Sequence, residues 1–151
     1  MTDDKKLWVG IGSPHGDDRV GWEVVQALAD LDPGLRVQCL DVPIDLLDLL
    51  EGVGQLTICD ACRTGDPPGA IHRWSWPCGE LRRVEFMGTH DFGLVPALEL
   101  ADRLGLLPND TTLFGIDVFE VRPGASLSRP LRVALPSFAR IIREQRAFHF
   151  I

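Results

Sequence analysis

Apolar residues follow two rhythms along the chain, short continuous or alternating runs and longer stretches with a repeat of three to four residues. Leu7 to Gly12 is an apolar run that stops at Gly12-Ser13-Pro14-His15-Gly16, a cluster of turn formers, and it reads as a first strand. From Asp17 or Asp18 onward, Val20, Val24, Leu28 and Leu31 fall on one face of a helix that ends before Pro33-Gly34. Asp17 and Asp18 then occupy its cap or first turn, where free N–H groups and the helix dipole favour carboxylates.

The alternation continues. Leu35 to Asp41 predicts a second strand and Ile44 to Leu50 a short helix too rich in leucine for a polar surface. Leu56 to Asp60 predicts a third strand, followed by a loop through Thr64-Gly65-Asp66-Pro67-Pro68-Gly69. Ala70 to Trp76 alternates well enough for a fourth strand at an edge of the sheet, closed by Pro77. Leu94, Leu98, Ala101 and Leu104 mark a helix that Thr89 could cap. Thr112 to Val118 predicts the last strand, and Leu131 to Ile142 a closing helix interrupted near Pro136. Strands alternating with helices at this spacing predict an α/β fold, a single three-layer α/β/α domain over residues 1–151 with an open, mostly parallel sheet.

Composition narrows the partners. The chain has 151 residues, 45% of them hydrophobic, and 15 Lys and Arg against 22 Asp and Glu leave a net charge of −7. A domain of this length buries about two-thirds of its unfolded surface without staples. The acidic balance, with no basic run longer than two residues, excludes the electrostatic footprint of a nucleic-acid or anionic-membrane binder. No apolar stretch reaches the ~20 residues of a membrane span, and the start of the chain lacks the apolar core of a signal peptide. The expected location is the cytoplasm.

Four cysteines, Cys39, Cys59, Cys62 and Cys78, are too few for a disulfide scaffold and are expected to be reduced. Cys59, Cys62, His72 and Cys78 could be drawn as a zinc site. Cys59, however, ends an apolar run that reads as a buried strand, which favours a core role.

In an open α/β sheet, ligands bind beyond the carboxyl ends of the strands. Gly10-Ile11-Gly12 resembles a phosphate-binding turn, but no third glycine follows at dinucleotide spacing, and two carboxylates stand where a pyrophosphate would sit. Those carboxylates suit a cation. Asp18, Asp60 and His90 each stand at a strand exit or a helix start on the predicted active edge. Brought together, they would form an O,O,N donor set fitted to a borderline divalent ion such as nickel or zinc, with positions left open for water or substrate. Such open coordination is what metal-assisted hydrolysis requires. Taken singly, each residue also has an ordinary reading, as a first-turn carboxylate, a turn former and a surface histidine.

The chain resembles the hydrogenase maturation proteases over nearly its whole length. The resemblance rests on Gly10-Ile11-Gly12-Ser13-Pro14-His15-Gly16-Asp17-Asp18-Arg19-Val20-Gly21, Asp45-Leu46-Leu47-Asp48-Leu49-Leu50, Cys59-Asp60-Ala61 with Gly65-Asp66-Pro67-Pro68-Gly69 after it, Thr89-His90-Asp91-Phe92-Gly93-Leu94, Gly115-Ile116-Asp117 and Leu135-Pro136. It implies an endopeptidase that trims the C-terminus of a nickel-iron hydrogenase large-subunit precursor after nickel insertion. It also implies that Asp18, Asp60 and His90 are the catalytic and metal-reading residues. The nickel is then carried by the substrate, no organic cofactor is needed, and another divalent ion such as zinc or cadmium can occupy the site. Gly12, Ser13, Asp17, Trp22, Asp41 and Thr89 are assigned supporting or substrate-binding roles. Trp22 is the expected surface contact, because it lies off the Val20-Val24-Leu28 stripe one turn from Asp18.

Three features depart from the family pattern. Ser13 stands where Asn is usual, the Ser13–Asp17 loop is one residue shorter, and Asp41-Val42-Pro43-Ile44-Asp45 lacks the Gly-Thr pair often found there. Whether the ion polarises the scissile carbonyl or only docks the substrate stays open at this level. The alternatives are a non-catalytic metal-checking protein that binds the precursor without cutting it, and a zinc or thiol protein built on the cysteines.

Overall fold

The computed structural model describes residues 5–87 and 92–146. Six strands form one sheet: β1 (Lys6–Ile11), β2 (Val37–Leu40), β3 (Gln55–Arg63), β4 (Ile71–Ser75), β5 (Glu85–Phe86) and β6 (Asp110–Asp117). The order across the sheet is β2-β1-β3-β6-β4, with β1, β2, β3 and β6 parallel and β4 antiparallel to β6 at the edge. Among the described residues three α-helices cover it: α1 (Val20–Leu31), α2 (Leu94–Arg103) and α3 (Arg129–Arg143). The expected mostly parallel α/β sheet is thus what the chain builds.

Alternation along the central strands sends side chains into two cores. Trp8, Cys59, Phe114 and Ile116 pack with Val24, Leu28, Leu131 and Phe138 of α1 and α3 on one face. Leu7, Val9, Ile58 and Leu113 pack with Leu94 and Leu98 of α2 and Leu46 of the 43–49 segment on the other. Helices therefore lie on both faces, as a buried parallel sheet requires.

Several boundaries differ from the sequence expectation. The Pro43–Leu49 segment is a 3₁₀ helix and not an α-helix. Asp17 and Asp18 belong to a separate 3₁₀ turn, Gly16–Arg19, that leads into α1. The closing helix runs unbroken through Pro136, whose exposed position leaves the freed carbonyl open to water. The largest difference is β3, which does not end at Asp60 but continues to Arg63. It is sustained there by β6 on one side and by the antiparallel β5 on the other, through Cys62↔Phe86 and Arg63↔Glu85.

That extension places Asp60 at a notch in the sheet. Pairing of β3 with β1 ends at Gly10↔Cys59, and pairing with β5 begins at Cys62, so Asp60 and Ala61 lie where β1 leaves and β5 arrives. The connections from β1 to β2 and from β2 to β3 run over opposite faces, which makes the β1/β3 junction the topological switch point where open α/β sheets bind ligands.

Candidate active site

Glycines bring the start of α1 against the sheet with no side chain between. A Cβ on Gly21 would lie 2.2 Å from the Ile11 carbonyl oxygen and 2.6 Å from that of Cys59. One on Gly10 would lie 2.2 Å from the carbonyl oxygen of Gly21. Gly12 is equally confined, since a Cβ there would stand 2.7 Å from the Asp18 carbonyl oxygen. These approaches set the 3₁₀ turn carrying Asp18 over the end of β1 and beside β3.

Asp18 and Asp60 meet there. Both are almost completely buried, at 3% and 1% exposure. Ser13 Oγ donates to Asp18 Oδ2 at 2.5 Å, and the Ser13 amide donates to the Asp18 carbonyl at 3.2 Å. Neither carboxylate oxygen of Asp60 has a hydrogen-bond donor among the described residues. Burial, and then the charge of Asp18, push the Asp60 carboxyl well above the ordinary carboxylate range. Two adjoining buried carboxylates, one without a donor, form a place where a cation relieves both desolvation and mutual repulsion.

The other sequence candidates divide by what they touch. Asp17 turns away from Asp18 and accepts from the amides of Phe119 at 3.0 Å, Glu120 at 3.3 Å and Ser128 at 2.7 Å, and from Ser128 Oγ at 2.9 Å. It ties the Asp18 turn to the loop after β6 and to the N-cap of α3. Gly16, with φ +57°, sits against Arg122 in the same seam. Trp22 is half-buried over Gly12, and its indole N–H donates to the Leu40 carbonyl at 2.9 Å, so it braces β1 and β2. Asp41 is exposed at the end of β2. His90 and Thr89 lie outside the described residues.

The cysteine site does not assemble. With β3 continuous through Arg63, Cys59 and Cys62 are three residues apart on one strand and point to opposite faces, so they cannot chelate one ion together. All four cysteines are free, and burial raises the thiols of Cys59 and Cys62 far out of the reactive range.

A second polar cluster, absent from the sequence expectation, lies on the face that carries Asp60. His72 Nε2 is 2.6 Å from Asp117 Oδ2 and 3.5 Å from Asp66 Oδ2. The three donor atoms lie within 4.8 Å of one another, an arrangement compatible with a metal ion. Thr64 steadies it: its amide donates to Asp117 Oδ1 at 2.8 Å and its hydroxyl lies 2.9 Å from Asp117 Oδ2. The available signal was alternation, which puts His72 and Trp74 on one face of β4. The pairing of β4 with β6 that brings His72 opposite Gly115, near Asp117, is not legible locally.

Comparison with known proteins agrees with this architecture. The sequence profile of the hydrogenase maturation protease family matches residues 25–145. Among solved structures, the hydrogenase-maturating endopeptidase HybD from Escherichia coli superposes with a TM-score of 0.77 at 20% identity, covering 96% of this chain and 94% of that one. The [NiFe] hydrogenase maturation protease HybD from Thermococcus kodakarensis gives 0.73 at 23% identity, over 96% of this chain and 99% of that one. HycI from the same organism, also a [NiFe] hydrogenase maturation protease, gives 0.69 at 21%, over 92% and 90%. No curated protein matches. No helix among the described residues is long and apolar enough to cross a membrane.

Proposed function

Because this chain belongs to the hydrogenase maturation protease family and is an endopeptidase of that kind, we propose that it removes the C-terminal extension of a nickel-iron hydrogenase large-subunit precursor once nickel has been inserted. In this reading Asp18, Asp60 and His90 engage the nickel that the precursor carries, and the ion belongs to the substrate. The observation that supports it is the Asp60 carboxylate, 1% exposed, without a donor among the described residues and beside the carboxylate of Asp18.

The physical logic is selective binding. A site with two adjoining buried carboxylates is unfavourable until a cation enters, so a loaded precursor is bound and an unloaded one is not. Ser13 orients Asp18 toward this task, and the packing of Gly10, Gly12 and Gly21 holds the turn that carries it. Open positions on a three-ligand ion accommodate water or the scissile carbonyl. The proposed setting is the cytoplasm, in keeping with four free cysteines.

The test is to incubate the purified protein with nickel-loaded and nickel-free precursor and measure the precursor's mass. The expected result is loss of the extension only from the loaded form, abolished by Asp18→Asn, Asp60→Asn and His90→Ala. Equal cleavage of the nickel-free precursor, or retained cleavage by these variants, contradicts the reading.

A further inference from the structure

We propose that Asp66, His72 and Asp117 form a second cation site, distinct from the Asp18–Asp60 pair, for a borderline divalent ion of the zinc–nickel class. The donors are two carboxylates and one imidazole, the set such ions accept. They are also preorganised. The His72 ring is stacked on Trp74, with centroids 5.4 Å apart and planes 15° from parallel, which fixes the direction of Nε2. Asp117, whose side chain is 3% exposed, is clamped by Thr64 through the amide on Oδ1 and the hydroxyl on Oδ2, with Oδ2 also facing His72. Hydrogen bonds of this kind orient metal ligands and raise their affinity.

Charge and access support an ion here. Among the described residues no lysine or arginine pairs with Asp66 or Asp117, so a single imidazole faces two carboxylates. Asp66 is half-exposed and borders a groove of about 390 Å³ that Arg73, Glu80 and Arg83 also line. Asp66, with its side chain 52% exposed, gives an ion access from solvent, while Asp117, at 3%, is the buried donor. Bringing three donors to about 2.0–2.2 Å from one ion needs only small rotations from separations of 2.6 and 3.5 Å.

The site is separate from the first. Asp117 pairs in register with Cys62, two residues beyond Asp60 on β3, so the buried Cys62 stands between the two acidic centres on the same face. Asp60 is not among the donors that converge on His72.

The experiment uses the full chain carrying Asp60→Asn and His90→Ala, which removes two donors of the first site, stripped with chelator and titrated with zinc chloride by calorimetry. The expected result is one zinc ion bound per chain. Adding Asp66→Asn, a half-exposed position that leaves the core intact, weakens binding at least about tenfold, and His72→Gln does the same. Cobalt titration then gives visible d–d absorption that these two changes abolish. No zinc bound by the parent chain, or binding indifferent to both Asp66→Asn and His72→Gln, overturns the proposal. Precursor cleavage is not read here, so failure of this site and failure of the protease reading remain distinguishable.

Discussion

Ser13 holds Asp18 at both ends, its hydroxyl 2.5 Å from the carboxylate and its amide 3.2 Å from the carbonyl of the same residue. A charge-assisted hydrogen bond to a buried carboxylate contributes about 1–3 kcal/mol, and here its effect is directional as well. Ser13→Ala is expected to lower kcat/KM for precursor cleavage about ten- to a hundredfold with little change in the far-ultraviolet spectrum. Ser13→Asn, which keeps a donor, retains more activity than the alanine variant. Equal activity of the wild-type and alanine proteins would show that Asp18 needs no such orientation.

Asp17 makes the opposite use of an adjacent carboxylate. Its four accepted hydrogen bonds join residues more than a hundred positions apart, from the β1–α1 loop to Phe119, Glu120 and Ser128. Asp17→Ala leaves the amides of Phe119, Glu120 and Ser128 without their acceptor in a part-buried seam and is expected to destabilise the protein by about 1–3 kcal/mol. Equilibrium urea unfolding measures this as a lower midpoint. A loss below about 1 kcal/mol would show that the seam is held by packing alone.

Gly21 has no room for a side chain. Two carbonyl oxygens, of Ile11 and Cys59, lie 2.2 and 2.6 Å from where a Cβ would be placed, and both belong to backbone that cannot rotate aside. Gly21→Ala therefore has to lift α1 from the sheet, at a cost of about 3 kcal/mol or more. The same displacement moves Asp18 away from Asp60. Cleavage is expected to fall further than the loss of folded protein accounts for, as an activity assay normalised to the folded fraction at low temperature would show.

Local pattern was sufficient wherever one element's own residues decide its form. The stripe Val20-Val24-Leu28 made α1 legible, and turn formers after Ile11 located the loop that presents Asp18. It was insufficient where a distant partner decides. Asp60-Ala61 reads as the end of a strand, yet Glu85 and Phe86 pair with Arg63 and Cys62 and keep it extended. That pairing turns Asp60 from a loop residue into a buried one. The antiparallel placement of β4 beside β6 likewise joins His72 to Asp117, 45 residues away, through a strand pairing that no periodicity encodes.

The buried Asp60 carboxyl makes the protein's stability depend on pH. Its pKa is raised in the folded protein, chiefly by burial and next by the Asp18 charge, so between the ordinary aspartate pKa and this higher one the native state binds more protons than the unfolded state. Unfolding free energy must then fall as pH rises above about 4, through the folded pKa, in the absence of a bound cation. Asp60→Asn removes the ionisation and with it this part of the slope. The variant is expected to be more stable than wild type at pH 7–8, by on the order of 1–2 kcal/mol, and to lose that advantage near pH 4. Melting temperatures of the two proteins across pH 4–8 measure the difference, which at this chain length corresponds to about 2–4 °C per kcal/mol. A divalent cation held by Asp18 and Asp60 reverses the sign, because it stabilises only the ionised site; added nickel is therefore expected to raise the melting temperature of the wild type at neutral pH by more than that of Asp60→Asn. Parallel pH profiles with and without nickel would mean that the Asp60 carboxyl is a passive core residue and not part of a cation-reading site.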